Sequence, residues 1–143
     1  MRNAGAALAL DLGAKRCGLA VTDALRLSLQ PLDALPHGLE DPRLADALAS
    51  LFDERDLCTF VLGLPLNMDG SEGPAAQAVR ACGARLAARF PAVRVTYQDE
   101  RLSSKEAEEL LREQGLHGRK ARAARDSASA LVILRDWIRA QEP

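Results

Sequence analysis

Three acids in this chain of 143 residues stand where a carboxylate is costly unless it has a task. Asp11 closes the apolar run Leu8-Ala9-Leu10-Asp11-Leu12-Gly13, and an unpaired charge in such surroundings is expensive. Glu100 directly follows the alternating run 93–98. That places it at the carboxyl end of a strand, the edge at which open α/β sheets hold their ligands. Asp126 precedes Ser127-Ala128-Ser129-Ala130-Leu131-Val132-Ile133-Leu134, and helical spacing puts it on one face with Ala130, Ile133 and Trp137. Each acid has an ordinary alternative: Asp11 as a cap of the Gly13 turn, Glu100 as the ion-pair partner of Arg101, Asp126 as a helix N-cap or first-turn residue. Gathered at one point, three carboxylates repel unless divalent cations sit between them. Their oxygens suit Mg2+ or Mn2+ rather than zinc. Two such ions side by side activate a water and stabilise the leaving oxygen of a phosphodiester.

Cations surround these acids in the sequence. Lys15 and Arg16 occupy the turn after Asp11, Arg101 adjoins Glu100, and Arg119, Lys120, Arg122 and Arg125 precede Asp126 with no acid among them. Arginine outnumbers lysine 16 to 3, and its planar fork matches phosphate oxygens. A run of this kind is also what a solvated loop looks like. Asn67, in the loop after strand 58–63, is read as a substrate-positioning residue, with a plain turn as the alternative.

The elements that must carry these residues follow from periodicity and breakers. Residues 6–12 and 17–22 predict two strands joined by a short turn, hence an antiparallel hairpin. A weaker strand over 28–36 is limited by Pro31 and Pro36. Asp41-Pro42 predicts an N-cap and first helical position, with Leu44, Leu48, Leu51 and Phe52 at helical spacing. Strand 58–63 leads into a loop marked by glycine and proline through Pro74. A helix with Val79, Cys82, Leu86 and Phe90 on one stripe precedes strand 93–98. Ser103 with Glu106 forms a capping box for a further helix ending near Gly115. Residues 116–125 are expected as a basic loop, and a last helix over 126–140. The order β-β-β-α-β-α-β-α-α predicts one α/β domain over residues 1–143 with a mixed five-stranded sheet, antiparallel at its start and then parallel, flanked by helices.

Composition excludes several classes. The 27% charged and 48% hydrophobic fractions are those of a folded domain rather than a disordered chain. Cys17, Cys58 and Cys82 have neither disulfide-framework nor zinc-ligand spacing and read as small packing residues. No signal peptide or membrane span is evident, so a soluble cytoplasmic protein is expected. Aromatics at 3% argue against a base-stacking platform. A net charge of −1 argues against bulk coating of nucleic acid. The total nevertheless hides segregation: residues 99–113 hold six acids and three bases, whereas 115–125 hold four bases and no acid.

Four segments in order resemble the YqgF/RuvX family. They are Asp11-Leu12-Gly13-Ala14-Lys15-Arg16-Cys17-Gly18-Leu19-Ala20-Val21-Thr22-Asp23, the loop Gly63-Leu64-Pro65-Leu66-Asn67-Met68-Asp69-Gly70-Ser71-Glu72-Gly73-Pro74, the segment Asp99-Glu100-Arg101-Leu102-Ser103-Ser104-Lys105-Glu106-Ala107-Glu108, and Asp126 with its small and aliphatic followers. The resemblance implies an RNase H-like fold related to the RuvC resolvases. It also implies Mg2+- or Mn2+-dependent nuclease chemistry carried by Asp11, Glu100 and Asp126. The implied substrate is the 5′ end of precursor 16S ribosomal RNA, with four-way DNA junctions as the alternative. Ribosomal precursor particles are the expected partner, and the chain is expected as a monomer or weak homodimer. RuvC-type resolvases carry a further acid three residues after the last-helix aspartate, where this chain has Ser129; one ion would then be held more loosely. A non-catalytic nucleic-acid-binding module is the rival reading. Phosphoryl transfer of the actin-like kinase type needs two lobes, for which the chain is too short.

Overall fold

Period-two alternation builds the centre of the molecule. The computed structural model describes residues 5–53, 55–100, 109, 112 and 118–141. Five strands, β1 (Ala6–Leu12), β2 (Cys17–Thr22), β3 (Leu29–Leu35), β4 (Leu57–Leu64) and β5 (Arg94–Asp99), form one sheet in the order β3-β2-β1-β4-β5. β1 pairs antiparallel with β2, and β2 with β3. β4 runs parallel to β1, and β5 parallel to β4. This is the mixed sheet expected from the sequence, with strand ends shifted by a residue.

Four described helices flank it: α1 (Arg43–Ala49), α2 (Pro74–Arg89), α3 (Gly118–Asp126) and α4 (Ala128–Gln141). α1 starts one residue later than predicted, with Pro42 at the N-cap, although Asp41 Oδ1 still accepts the Arg43 backbone N–H at 2.9 Å; it ends at Ala49, so Leu51 and Phe52 fall in a 3-10 turn over Ser50–Asp53. One face of the sheet packs Leu8, Leu10, Leu19, Val21, Phe60 and Leu62 against Leu44 and Leu48 of α1 and Val79, Cys82 and Leu86 of α2. The other face packs Ala7, Ala9, Ala20 and Val61 against Leu131, Ile133, Leu134 and Trp137 of α4. Small residues on this second face match the bulk that α4 brings. Each of the large side chains buried here contributes about 1.5–3 kcal/mol.

Two expectations are corrected. Residues 118–125 of the expected basic loop lie in helix α3, which runs on to Asp126. Alanine and arginine are strong helix formers, and Ala123, buried on α3, supplies an apolar contact without any long apolar stripe. The last helix does not run unbroken from 126, because a turn at Ser127 separates α3 from α4. The capping box Ser103/Glu106 and the stop at Gly115 lie outside the described residues, although Glu109 and Arg112 are helical. Among the described residues no helix is long and apolar enough to cross a membrane.

Candidate active site

Parity along the strands decides which side chains meet. Asp11 shares its parity with Ala7 and Ala9, so it lies on the α4 face at the end of β1. Its partner across the hairpin is Gly18. A Cβ on Gly18 would sit 3.6 Å from the Asp11 Cβ and 3.2 Å from the Asp126 carbonyl oxygen. The missing side chain therefore lets the α3–α4 junction approach Asp11. Gly63 plays the same part on β4, where a Cβ would sit 2.5 Å from Ile133 Cδ1 and 2.9 Å from Glu100 Oε2. The Glu100 N–H donates to the Leu64 carbonyl at 2.9 Å, extending the β4–β5 pairing one residue past β5. Glu100 is thereby held at the carboxyl edge of the sheet, over Gly63 and towards β1.

The Asp11 and Glu100 carboxyls lie within reach of each other. Burial first, then the Asp11 hydrogen bond and charge, push the Glu100 carboxyl up to about 9. The two carboxyls bring hard oxygen donors together at the sheet edge, where they could share a divalent cation. This donor set fits Mg2+ or Mn2+. Asp126 lines the same groove as Asp11, of about 420 Å³, with Lys15, Arg16 and Gly18. Its Oδ2 lies 3.2 Å from Arg16 Nη2. Among the described residues no three His, Cys, Asp or Glu side chains are gathered closely enough to hold an ion. The structure therefore unites two of the three expected acids and sets the third on the groove wall, paired with an arginine. Asp126 also departs from the expected apolar stripe: Ala130, Ile133 and Trp137 are buried, while the break at Ser127 turns Asp126 outward.

Ser127 is a residue whose part the sequence does not announce. Its buried Oγ accepts the Leu19 N–H at 3.0 Å and donates to the Leu32 carbonyl at 2.7 Å. Both groups flank the irregularity in the β2–β3 register between Cys17 and Leu19. One hydroxyl thus fills a bulge and pins the α3–α4 junction beside Asp11. No local signal identifies it, because its partners lie on distant strands. Ser127→Ala leaves a buried donor and acceptor unpaired. We expect a loss of about 2 kcal/mol of stability, read from the urea midpoint at unchanged m-value.

The cations are distributed around this edge. Lys15 and Arg16 are exposed on a turn closed by the Gly13 N–H on the Arg16 carbonyl at 2.9 Å. The Leu39 N–H donates to the Gly13 carbonyl at 3.0 Å, and Gly38 lies so close that any Cβ would run into the Ala14 carbonyl. Arg122 and Arg125 are exposed on α3, whose backbone also carries Arg119 and Lys120. Arg101 lies outside the described residues. Asn67 is exposed, and its amide donates to Ser71 Oγ, which donates in turn to Asp69. That network makes Asn67 part of a braced turn at the sheet edge. Cys17 is fully buried, and burial pushes its thiol far above the usual range, which suits a packing residue.

An antiparallel β1-β2-β3 meander continued by parallel β4 and β5, with acids at the end of β1, just past β5 and before the last helix, defines an α/β domain of the RNase H-like class. The solved structures it resembles agree. Thermus thermophilus RuvC in complex with a Holliday junction substrate superposes with a TM-score of 0.55 at 17% identity, covering 96% of both chains. Fowlpox virus resolvase with its junction DNA gives 0.55 at 10% identity, covering 94% of this chain and 99% of that one. Within that class the chain belongs to the RuvX family, described as Holliday junction resolvase, whose profile matches residues 5–140. Among similar sequences, a protein of Anaeromyxobacter sp. strain Fw109-5 is 46% identical over 92% of this chain and 94% of its own length. One from Lactococcus lactis subsp. cremoris strain MG1363 is 37% identical over 92% of both. Both carry the name "Putative pre-16S rRNA nuclease".

Proposed function

We propose that this protein is a Mg2+- or Mn2+-dependent endonuclease that cuts the 5′ end of precursor 16S ribosomal RNA, acting in the cytoplasm on ribosomal precursor particles. The observation that carries the reading is the adjacent Asp11–Glu100 carboxyl pair at the carboxyl edge of the sheet, with Asp126 and a cationic rim on the groove that Asp11 lines. Asp11 and Glu100 would hold the cation, and Asp126 would serve as the third ligand. The chemistry supplied by a bound Mg2+ or Mn2+ is activation of water and neutralisation of the leaving oxygen. Lys15, Arg16 and the basic helix α3 hold the phosphate backbone, and the braced loop with Asn67 guides the strand. The names of the sequence relatives favour RNA. The likeness to junction-bound resolvases favours four-way DNA as the second reading.

The test is a side-by-side panel of labelled precursor 16S leader RNA and a mobile four-way junction, each with Mg2+ or Mn2+. Cutting of the RNA at a discrete 5′ position is the expected result. Paired symmetric nicks in the junction, with the RNA intact, would move the assignment to junction resolution. Binding without any cutting would leave a nucleic-acid-binding module. Neutralising Arg119, Lys120, Arg122 and Arg125 together should flatten the salt dependence of RNA binding. The slope of log Kobs against log salt should fall by about 0.7 for each single-strand phosphate that the variant no longer neutralises. An unchanged slope would show that α3 does not touch the backbone.

A further inference from the structure

We propose that Arg16 couples nucleic-acid binding to completion of the metal site by exchanging partners: a backbone phosphate takes its guanidinium, and the freed Asp126 carboxylate joins Asp11 and Glu100. The inference rests on the carboxylate site proposed above and adds what governs its assembly. The Arg16–Asp126 contact, Nη2 to Oδ2 at 3.2 Å, has side chains 61% and 34% exposed. Such a pair is weak in water, whereas a guanidinium on a phosphate diester forms a forked, charge-assisted contact. Exchange is therefore downhill once a strand enters the groove that both residues line.

The backbone is braced on both sides, so the exchange needs side-chain rotation only. The Arg16 carbonyl is fixed by the Gly13 N–H, and Gly13 in turn by Leu39. Asp126 is held by its neighbour Ser127, whose hydroxyl is bonded to β2 and β3. The Asp11 side chain and the Asp126 backbone flank the same glycine, Gly18, with no side chain between them. Without a strand, two carboxylates face the metal and the third is engaged by Arg16. With a strand bound, all three are available. By thermodynamic reciprocity the metal must strengthen nucleic-acid binding by the same factor by which nucleic acid strengthens metal binding.

The experiment measures Mn2+ affinity by electron paramagnetic resonance on the full chain, with and without a phosphorothioate RNA oligonucleotide. The proteins are wild type, Arg16→Gln, Lys15→Gln and Asp11→Asn. Lys15→Gln removes the same charge from the adjacent position. Without oligonucleotide, Arg16→Gln should bind Mn2+ about tenfold more tightly than Lys15→Gln. The oligonucleotide should raise the wild-type affinity about tenfold and leave Arg16→Gln little changed, a coupling of ordinary size. Equal affinities for Arg16→Gln and Lys15→Gln, with Asp11→Asn still weakening Mn2+ binding, would overturn the exchange and keep the site. Mn2+ binding indifferent to Asp11→Asn would overturn the carboxylate site itself, and the exchange with it.

Discussion

Asp11→Asn is expected to lower phosphodiester cleavage by about 10³-fold, the equivalent of roughly 4 kcal/mol of transition-state stabilisation, and to leave a protein that still folds, as the proposed cation-holding role of this carboxylate requires. The substitution is nearly isosteric, and an asparagine can keep a hydrogen bond to Glu100. The residues that surround Asp11 ask only for a small side chain opposite Gly18. The variant does lose one of the two oxygen-donor carboxylates that meet at the sheet edge. Thermal unfolding of the variant should therefore match wild type closely, because the asparagine can still bond the neutral Glu100 carboxyl, while cleavage with Mg2+ or Mn2+ is lost. Equal cleavage by wild type and variant would mean that the activity belongs to another nuclease in the preparation, and the assignment of Asp11 would fall.

Glu100→Gln has its largest effect on stability, and that effect depends on pH. The Glu100 carboxyl is pushed up to about 9 in the folded chain, from an ordinary value of 4.5. Its protonated form is thus favoured by folding. That contribution is fully present below about pH 4.5 and is lost as pH rises to about 9. Between those limits the metal-free wild type weakens relative to Glu100→Gln, which keeps a neutral side chain throughout. At pH 9 the variant should be the more stable by on the order of 2 kcal/mol, allowing for partial solvent screening. Saturating Mg2+ at pH 9 should restore the wild type, since a ligand that binds only the folded state stabilises it, and should do less for the variant. Parallel denaturation curves with a pH-independent difference would show that Glu100 carries no extra proton.

The fold is legible in the sequence because its signals are local. Alternation in 6–12 and 17–22, the Asp41-Pro42 cap and the apolar stripe of α2 each state their element within a few residues. The placement of Asp11 and Glu100 is legible for the same reason, since a strand end fixes a position at the sheet edge. Asp126 is different, because its spacing points to the wrong side of a helix boundary. The interval to Ala130, Ile133 and Trp137 is helical, but a turn falls at Ser127, whose hydroxyl is tied to β2 and β3. Long-range hydrogen bonds leave no periodicity to read. The basic segment before Asp126 resembles a loop because charge dominates its appearance, while Ala121, Ala123 and Ala124 with the arginines favour a helix. Its helical form holds Arg122 and Arg125 at fixed spacing instead of on a flexible tether.

The packing of α4 on Ala7, Ala9, Ala20 and Val61 has a consequence for synthesis. The first strand of the domain supplies Asp11, and its last part supplies Asp126 and the helix that covers the second sheet face. A nascent chain whose last helix is still inside the ribosomal tunnel has an uncovered sheet and no third acid. Closure of the core and gathering of the acids are then one event, because the helix that buries the second sheet face follows directly on the residue that brings Asp126 to the groove.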